Sequence, residues 1–167
     1  MAVPAPLHDA GGAEGASEAL ADAVRALGRR EYGIAELSTR LEGRGHAHEA
    51  VASAVGTLIE EGLLDDRRFA RRFAEDKRSL AGWGEERIRG ALEARGLESW
   101  DIERALSAED AEQQIARAVK IAQTRLPADC RDTDRQRVLG LLARRGYPLD
   151  LSYEAIRRAE RADPRDG

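Results

Sequence analysis

Leu41-Glu42-Gly43-Arg44-Gly45 recurs as Leu92-Glu93-Ala94-Arg95-Gly96 and again as Leu142-Ala143-Arg144-Arg145-Gly146, at offsets of 51 and then 50 residues. Four residues before each leading Leu stands another apolar residue (Leu37, Ile88, Val138), and ten after each closing Gly a third (Val55, Leu106, Ile156). Apolar side chains four apart share one face of a helix. A Gly just past such a stripe suits the left-handed residue that ends a helix, and the Arg before it meets the negative end of the helix dipole. Each copy therefore reads as helix, turn, a second helix closing on Arg-Gly, then a third helix. Thirteen residues before the Gly, Tyr32-Gly33 matches Trp83-Gly84, while the third copy has Thr133-Asp134. A unit of three short helices has little core of its own, so tandem stacking is expected.

The rest of the chain follows the same period. Leu20, Val24 and Leu27 mark a first helix, Ile34, Leu37 and Leu41 a second, and Val51, Val55, Leu58 and Ile59 a third that stops at Gly62. Phe69 and Phe73 mark a fourth, Ile88 and Leu92 a fifth, and Ile102, Ala105 and Leu106 a short sixth. Ile115, Ala118, Val119 and Ala122 define a seventh, Val138, Leu141 and Leu142 an eighth, and Tyr153 with Ile156 a ninth. Between Pro6 and Pro127 there is no proline, and no segment alternates with period two. The predicted fold is all-α, in three tandem three-helix repeats. They span 18–62, 63–107 and 108–162, between a disordered tail at 1–17 and a C-terminal tail at 163–167.

Composition narrows the function. Charged residues make up 35% and aromatics 4%, a diet for helices packed on Leu, Ile, Val and Ala. The net charge of −4 argues against a protein that coats nucleic acid by bulk electrostatics, but the charge is uneven. Residues 98–116 hold six acids against Arg104, while 67–95 hold nine bases against five acids. Only Lys77 and Lys120 are lysines, so 25 of the 27 basic residues are Arg, the side chain suited to bidentate phosphate and carboxylate contacts. Cys130 stands alone, which excludes an internal disulfide and a thiolate metal cluster. No apolar run approaches the roughly 20 residues of a membrane span, and no signal peptide is seen, so a cytoplasmic protein is expected.

Catalytic patterns do not survive inspection. His46 and His48 lack a third ligand at sensible spacing, and Asp65-Asp66 at a helix start suits capping of free N–H groups more than acid–base work. No phosphate-cradling glycine loop or nucleophile elbow occurs. The expectation is a non-enzyme without cofactor or metal.

Binding faces are better candidates. Arg67, Arg71 and Arg78 fall along one stripe of the fourth helix with Arg68 and Arg72 beside it, and Phe69 and Phe73 point the other way. Arg87 and Arg89 follow on the fifth helix, and Arg144 and Arg145 close the eighth. A stripe of nearly one sign suits phosphate or an acidic protein surface. Tyr32 and Trp83 have the chemistry to stack on bases, although their matched places in two repeats favour packing.

Gly62-Leu63-Leu64-Asp65-Asp66-Arg67-Arg68-Phe69-Ala70, followed by Gly84, Ile88, Leu92 and Arg95-Gly96, resembles the central motif of the RecX family. Arg30-Glu31-Tyr32 with Glu36-Leu37 and Leu41 is similar to that family's first repeat, and Arg144-Arg145-Gly146-Tyr147 to its third. The resemblance covers roughly residues 18–160. It implies an elongated, curved, monomeric molecule that binds RecA recombinase filaments on single-stranded DNA and inhibits recombination, ATPase and co-protease activities, touching the DNA itself as well. Gly45, Gly62, Leu63, Leu64, Asp65, Asp66, Phe69, Ala70, Trp83, Gly96 and Gly146 are then its structural motif residues, and the nine arginines above its contacts. Leu149–Ser152 reads as an insert in the third repeat. The rival expectation is a helix-turn-helix regulator, which would bind duplex with sequence preference and a steep salt slope.

Overall fold

The structure, a computed structural model, describes residues 10–161. Among these residues it contains nine helices and no strand. They are α1 (Ala10–Leu27), α2 (Ile34–Glu42), α3 (His48–Glu60), α4 (Asp66–Ala81), α5 (Glu85–Glu93), α6 (Ser99–Leu106), α7 (Ala111–Gln123), α8 (Asp132–Arg144) and α9 (Leu149–Arg161). The all-α fold is the one the periodicity predicts. The helices divide between two compact units, one running to Phe69 and including Arg95–Leu97, the other formed by Ala70–Ala94 and the chain from Glu98 on.

In the first unit the core is Ala23, Ala26, Tyr32, Leu37, Leu41, Val51, Val55, Leu58 and Leu64, with Leu20, Leu27 and Ile34 against it. Full burial of Leu37, Leu41 or Leu58 stabilises by about 1.5–3 kcal/mol each. In the second unit Ala118, Ala122, Val138, Leu142, Tyr147, Ala155, Ile156 and Ala159 form a cluster, and Ile88, Leu92, Ile102 and Leu106 are buried on α5 and α6.

Three expectations change. Residues 10–17, assigned to the tail, are helical and form the first turns of α1, because Ala-rich sequence extends the helix toward the N-terminus; residues 1–9 and the tail at 163–167 lie outside the described residues. Val24 is half exposed, since α1 buries a stripe of small residues, Ala19, Ala23 and Ala26. The apparent insert Leu149–Ser152 is the first turn of α9, where Ser152 is fully buried and Tyr153 is 47% exposed. The buried stripe of that helix is Ser152, Ala155, Ile156 and Ala159.

The repeated Arg-Gly makes the same turn each time. Gly45, Gly96 and Gly146 have φ of +94°, +76° and +83°, the left-handed region that glycine enters without strain. His46 N donates to Leu41 O and Tyr147 N to Leu142 O, the six-residue bond that closes such a helix end.

Two of these turns also dock on the start of the preceding repeat's second helix. In the second unit Gly84 N donates to Arg145 O at 2.7 Å and Glu86 N to Gly146 O at 3.1 Å. A Cβ on Gly84 would lie 2.3 Å from Gly146 O, and one on Gly146 2.3 Å from Arg87 N. In the first unit a Cβ on Gly96 would lie 2.8 Å from Ala35 Cβ, and one on Gly33 3.0 Å from Leu97 Cδ1. Gly84 thus needs glycine for backbone approach, while Gly33 is crowded only by the Leu97 and Asp66 side chains, both at φ values any residue adopts (−83° and −77°). Gly45 meets nothing within 4 Å. Its neighbours Arg44 and His46 turn instead to Asp22 on α1, each at 2.9 Å.

Candidate partner-binding surface

α4 begins with a division of labour between two carboxylates. Asp65 accepts from Arg68 N at 3.0 Å and caps its own helix. Asp66 accepts from Ile34 N at 2.7 Å and so caps α2, whose N-cap Gly33 has no side chain to do it. Gly62, with φ +67°, ends α3 before this segment, Leu64 and Phe69 are buried beside it, and Leu63 stays 58% exposed. Arg68 donates to Gly62 O at 2.9 Å and braces the turn. Arg67 and Arg71, one helical turn apart, are exposed and, among the described residues, have no ion pair or hydrogen bond. Arg72 is exposed and engaged in interactions of its own.

Arg78 departs from the predicted stripe. It reaches inward to donate to Leu106 O at 2.9 Å and Ala105 O at 3.3 Å, and its Nε lies 3.1 Å from Glu109 without hydrogen-bond alignment. Desolvation, then the neighbouring Arg117, lowers its pKa, although a guanidinium remains charged under all ordinary conditions. The last carbonyls of α6 need donors, and a long side chain four turns along α4 supplies them.

Arg117 on α7 holds the same polar cluster together. Its guanidinium pairs with Glu109, donates from Nη2 to Trp83 O at 3.1 Å, and donates from Nε to Tyr147 Oη at 2.9 Å. The Tyr147 hydroxyl donates in turn to Gly82 O at 3.2 Å, and burial pushes the phenol's pKa up. Arg117 and Glu109 were not singled out in the sequence. Nothing in their spacing distinguishes them from surface charges, because their partners lie 30 or more residues away or on a neighbouring loop.

Trp83 is half-buried, edge-on to Phe73 at 6.2 Å, with Arg87 4.1 Å and Lys77 5.0 Å from its ring centre. Tyr32 in the first repeat is buried under Arg30 at 3.6 Å. Both rings are packed against cations of the protein itself. Arg87 also donates to Arg144 O at 3.1 Å, and Arg89 pairs with Glu85 at 2.8 Å and with Glu103, which raises the pKa of Arg89 and lowers that of Glu103. Arg145 lies against Gly82. Arg144 is exposed and, among the described residues, its guanidinium has no ion pair. Of the nine arginines predicted as contacts, Arg67, Arg71 and Arg144 thus present exposed guanidinium groups with no hydrogen bond or ion pair among the described residues.

Among the described residues no group of three His, Cys, Asp or Glu is placed to hold a metal, and no helix is long and apolar enough to cross a membrane. Burial, with Glu160 nearby, raises the pKa of the Cys130 thiol, the opposite of what a nucleophile needs.

Comparison with known proteins gives a consistent picture. Residues 65–106 match the family model for the RecX second three-helix domain. The regulatory protein RecX of Pseudomonas syringae pv. tomato is 38% identical over 134 residues, covering 77% of this chain and 83% of the relative. That of Deinococcus radiodurans is 38% identical over 148 residues, covering 88% and 71%. The crystal structure of RecX from Lactobacillus salivarius shares the fold at a TM-score of 0.78 and 18% identity, over 89% of this chain and 98% of that one.

Proposed function

The chain belongs to the RecX family, and from that premise we propose that it is a cytoplasmic, monomeric regulator that binds RecA recombinase filaments on single-stranded DNA and inhibits their recombination, ATPase and co-protease activities. The observation that carries the contact assignment is the exposed arginine face of α4, where Arg67 and Arg71 are left without acidic partners while other arginines are consumed internally. A guanidinium with no internal carboxylate retains its full capacity for a phosphate or a carboxylate on a partner. Several such modest contacts, repeated along a filament, add up to useful affinity. Arg68 and Arg72 belong to the same α4 face and Arg144 offers a separate contact, whereas Arg78, Arg87, Arg89 and Arg145 are engaged within the fold.

The test is titration of the protein into RecA-driven strand exchange and ATPase assays, with DNA-only binding measured in parallel at two salt concentrations. Inhibition at amounts too low to coat the DNA is the expected result. Sequence-specific duplex binding would instead establish the helix-turn-helix regulator. Filament binding that survives charge reversal at Arg67, Arg68, Arg71 and Arg72 would show that this face is not the contact.

A further inference from the structure

The first unit contains a second, separate basic feature. Asp22, Arg25, Ala26 and Arg29 from α1 and the residue pair just past it, with Arg40 and Arg44 from α2 and its closing turn, line a cleft of about 60 Å³. That is several times the ~10–15 Å³ one water needs, so a group of a few heavy atoms fits and a whole nucleotide does not.

Four guanidinium groups share this cleft with one carboxylate. Asp22, whose side chain is 11% exposed, is already saturated: Arg25 pairs with it, and Arg44 and His46 each approach to 2.9 Å. Those three groups hold its carboxyl well below the usual carboxylate range, His46 first, so it is an anion at every ordinary pH. Arg29 and Arg40 have no carboxylate partner among the described residues, and Arg40 rests 5.8 Å from the Tyr32 ring. In a chain of net charge −4 this is a local excess of three positive charges.

Helix capping does not account for it. The closing carbonyls are taken by backbone donors: Val24 O by Gly28 N, Ala26 O by Arg29 N, Thr39 O by Gly43 N, Leu41 O by Arg44 N and Glu42 O by Gly45 N. Arg29 and Arg40 are therefore left without a capping or carboxylate partner at the cleft, and Asp22 fixes the orientation of Arg25 and Arg44. A preorganised set of charged N–H donors around a small cleft is the arrangement that holds a phosphate oxyanion.

The geometry points to a phosphate-binding site in this cleft, formed by Arg25, Arg29, Arg40 and Arg44 and oriented by Asp22. The bound group is either a free or terminal phosphate or a phosphodiester of a single strand lying across the opening.

The test follows arginine Nε–H NMR resonances while the full-length protein is titrated, at matched ionic strength, with inorganic phosphate, acetate, and a short oligothymidylate with and without a 5′-phosphate. Phosphate is expected to shift the signals of Arg25, Arg29, Arg40 and Arg44, and acetate to leave them. Arg29→Gln with Arg40→Gln, both exposed, should weaken phosphate binding by on the order of tenfold or more with an unchanged melting temperature. Competition between phosphate and the unphosphorylated oligonucleotide would place a phosphodiester in the cleft. Competition by the 5′-phosphorylated form alone would restrict it to terminal phosphate. The proposal is overturned if acetate shifts the four signals as phosphate does, if no phosphate probe shifts them, or if the double variant binds phosphate as the parent does.

Discussion

Gly84→Ala at the N-cap of α5 and Gly90→Ala inside that helix add the same methyl group and are expected to act in opposite directions. Gly84 has φ −83°, so alanine meets no backbone strain there, and the whole effect is steric. The new Cβ would lie 2.3 Å from Gly146 O, 2.5 Å from Gly146 C and 2.7 Å from Tyr147 N. All three are backbone atoms of a closed turn, so the two segments must separate by about an ångström to restore van der Waals contact. That movement breaks or stretches Gly84 N–Arg145 O and Glu86 N–Gly146 O, worth about 1 kcal/mol each, and adds about 1–3 kcal/mol of overpacking. Together they amount to about 3–5 kcal/mol, or a melting temperature lower by roughly 10 °C in a chain of this size. A Cβ on Gly90, inside the same helix, meets nothing within 4 Å, so alanine there stabilises by about 0.5–1 kcal/mol through its helix propensity. Thermal unfolding followed by circular dichroism at 222 nm reads both. If Gly84→Ala melts within about 1 °C of the parent protein, the docking of the Arg145–Tyr147 turn on α5 is not what holds this unit.

Asp66→Ala removes the acceptor for Ile34 N and should cost about 1 kcal/mol, with faster hydrogen exchange at the Ile34 amide as the specific sign. Tyr147→Phe leaves Arg117 Nε and Gly82 O without their buried partner and should destabilise by about 1–3 kcal/mol in urea unfolding, while Tyr153→Phe, half exposed, should change nothing. Asp22 has its pKa depressed in the fold, so its stabilising effect is present above the usual carboxylate pKa of about 4 and is lost as pH falls through the folded value. Stability curves for the parent and Asp22→Asn should therefore differ at neutral pH and converge in acid; a gap that widens on acidification would contradict the ion cluster.

The parts legible in the sequence are those set by local spacing. Leu37, Leu41, Ile88, Leu92, Val138 and Leu142 are buried where a 3.6-residue period puts them, and the Gly after each stripe ends its helix because only that backbone conformation closes the turn. The failures have a common physical origin in close packing and distant partners. α1 buries alanines and exposes Val24, because a tight helix–helix approach selects small side chains over apolar ones. Ser152 is buried because it can donate to Tyr147 O, so a period counted on large apolar residues misses the first turn of α9. Arg78 looked like its neighbours on α4, since what draws it inward is the pair of carbonyls at Ala105 and Leu106, some 27 residues on.

That last point decides how a mutational scan of the arginines has to be read. Reversing Arg78 leaves Glu109 and the α6 carbonyls facing a buried negative charge, an error of several kcal/mol that unfolds the unit and abolishes every activity at once. Reversing Arg67 or Arg71 removes an exposed charge with no internal partner, so stability should stay within about 0.5 kcal/mol of the parent protein. A filament-binding defect in Arg67→Glu or Arg71→Glu at unchanged melting temperature therefore reports a contact. The same defect in Arg78→Glu reports only lost structure, and an Arg78→Glu protein that melts normally would refute the buried position assigned to that side chain.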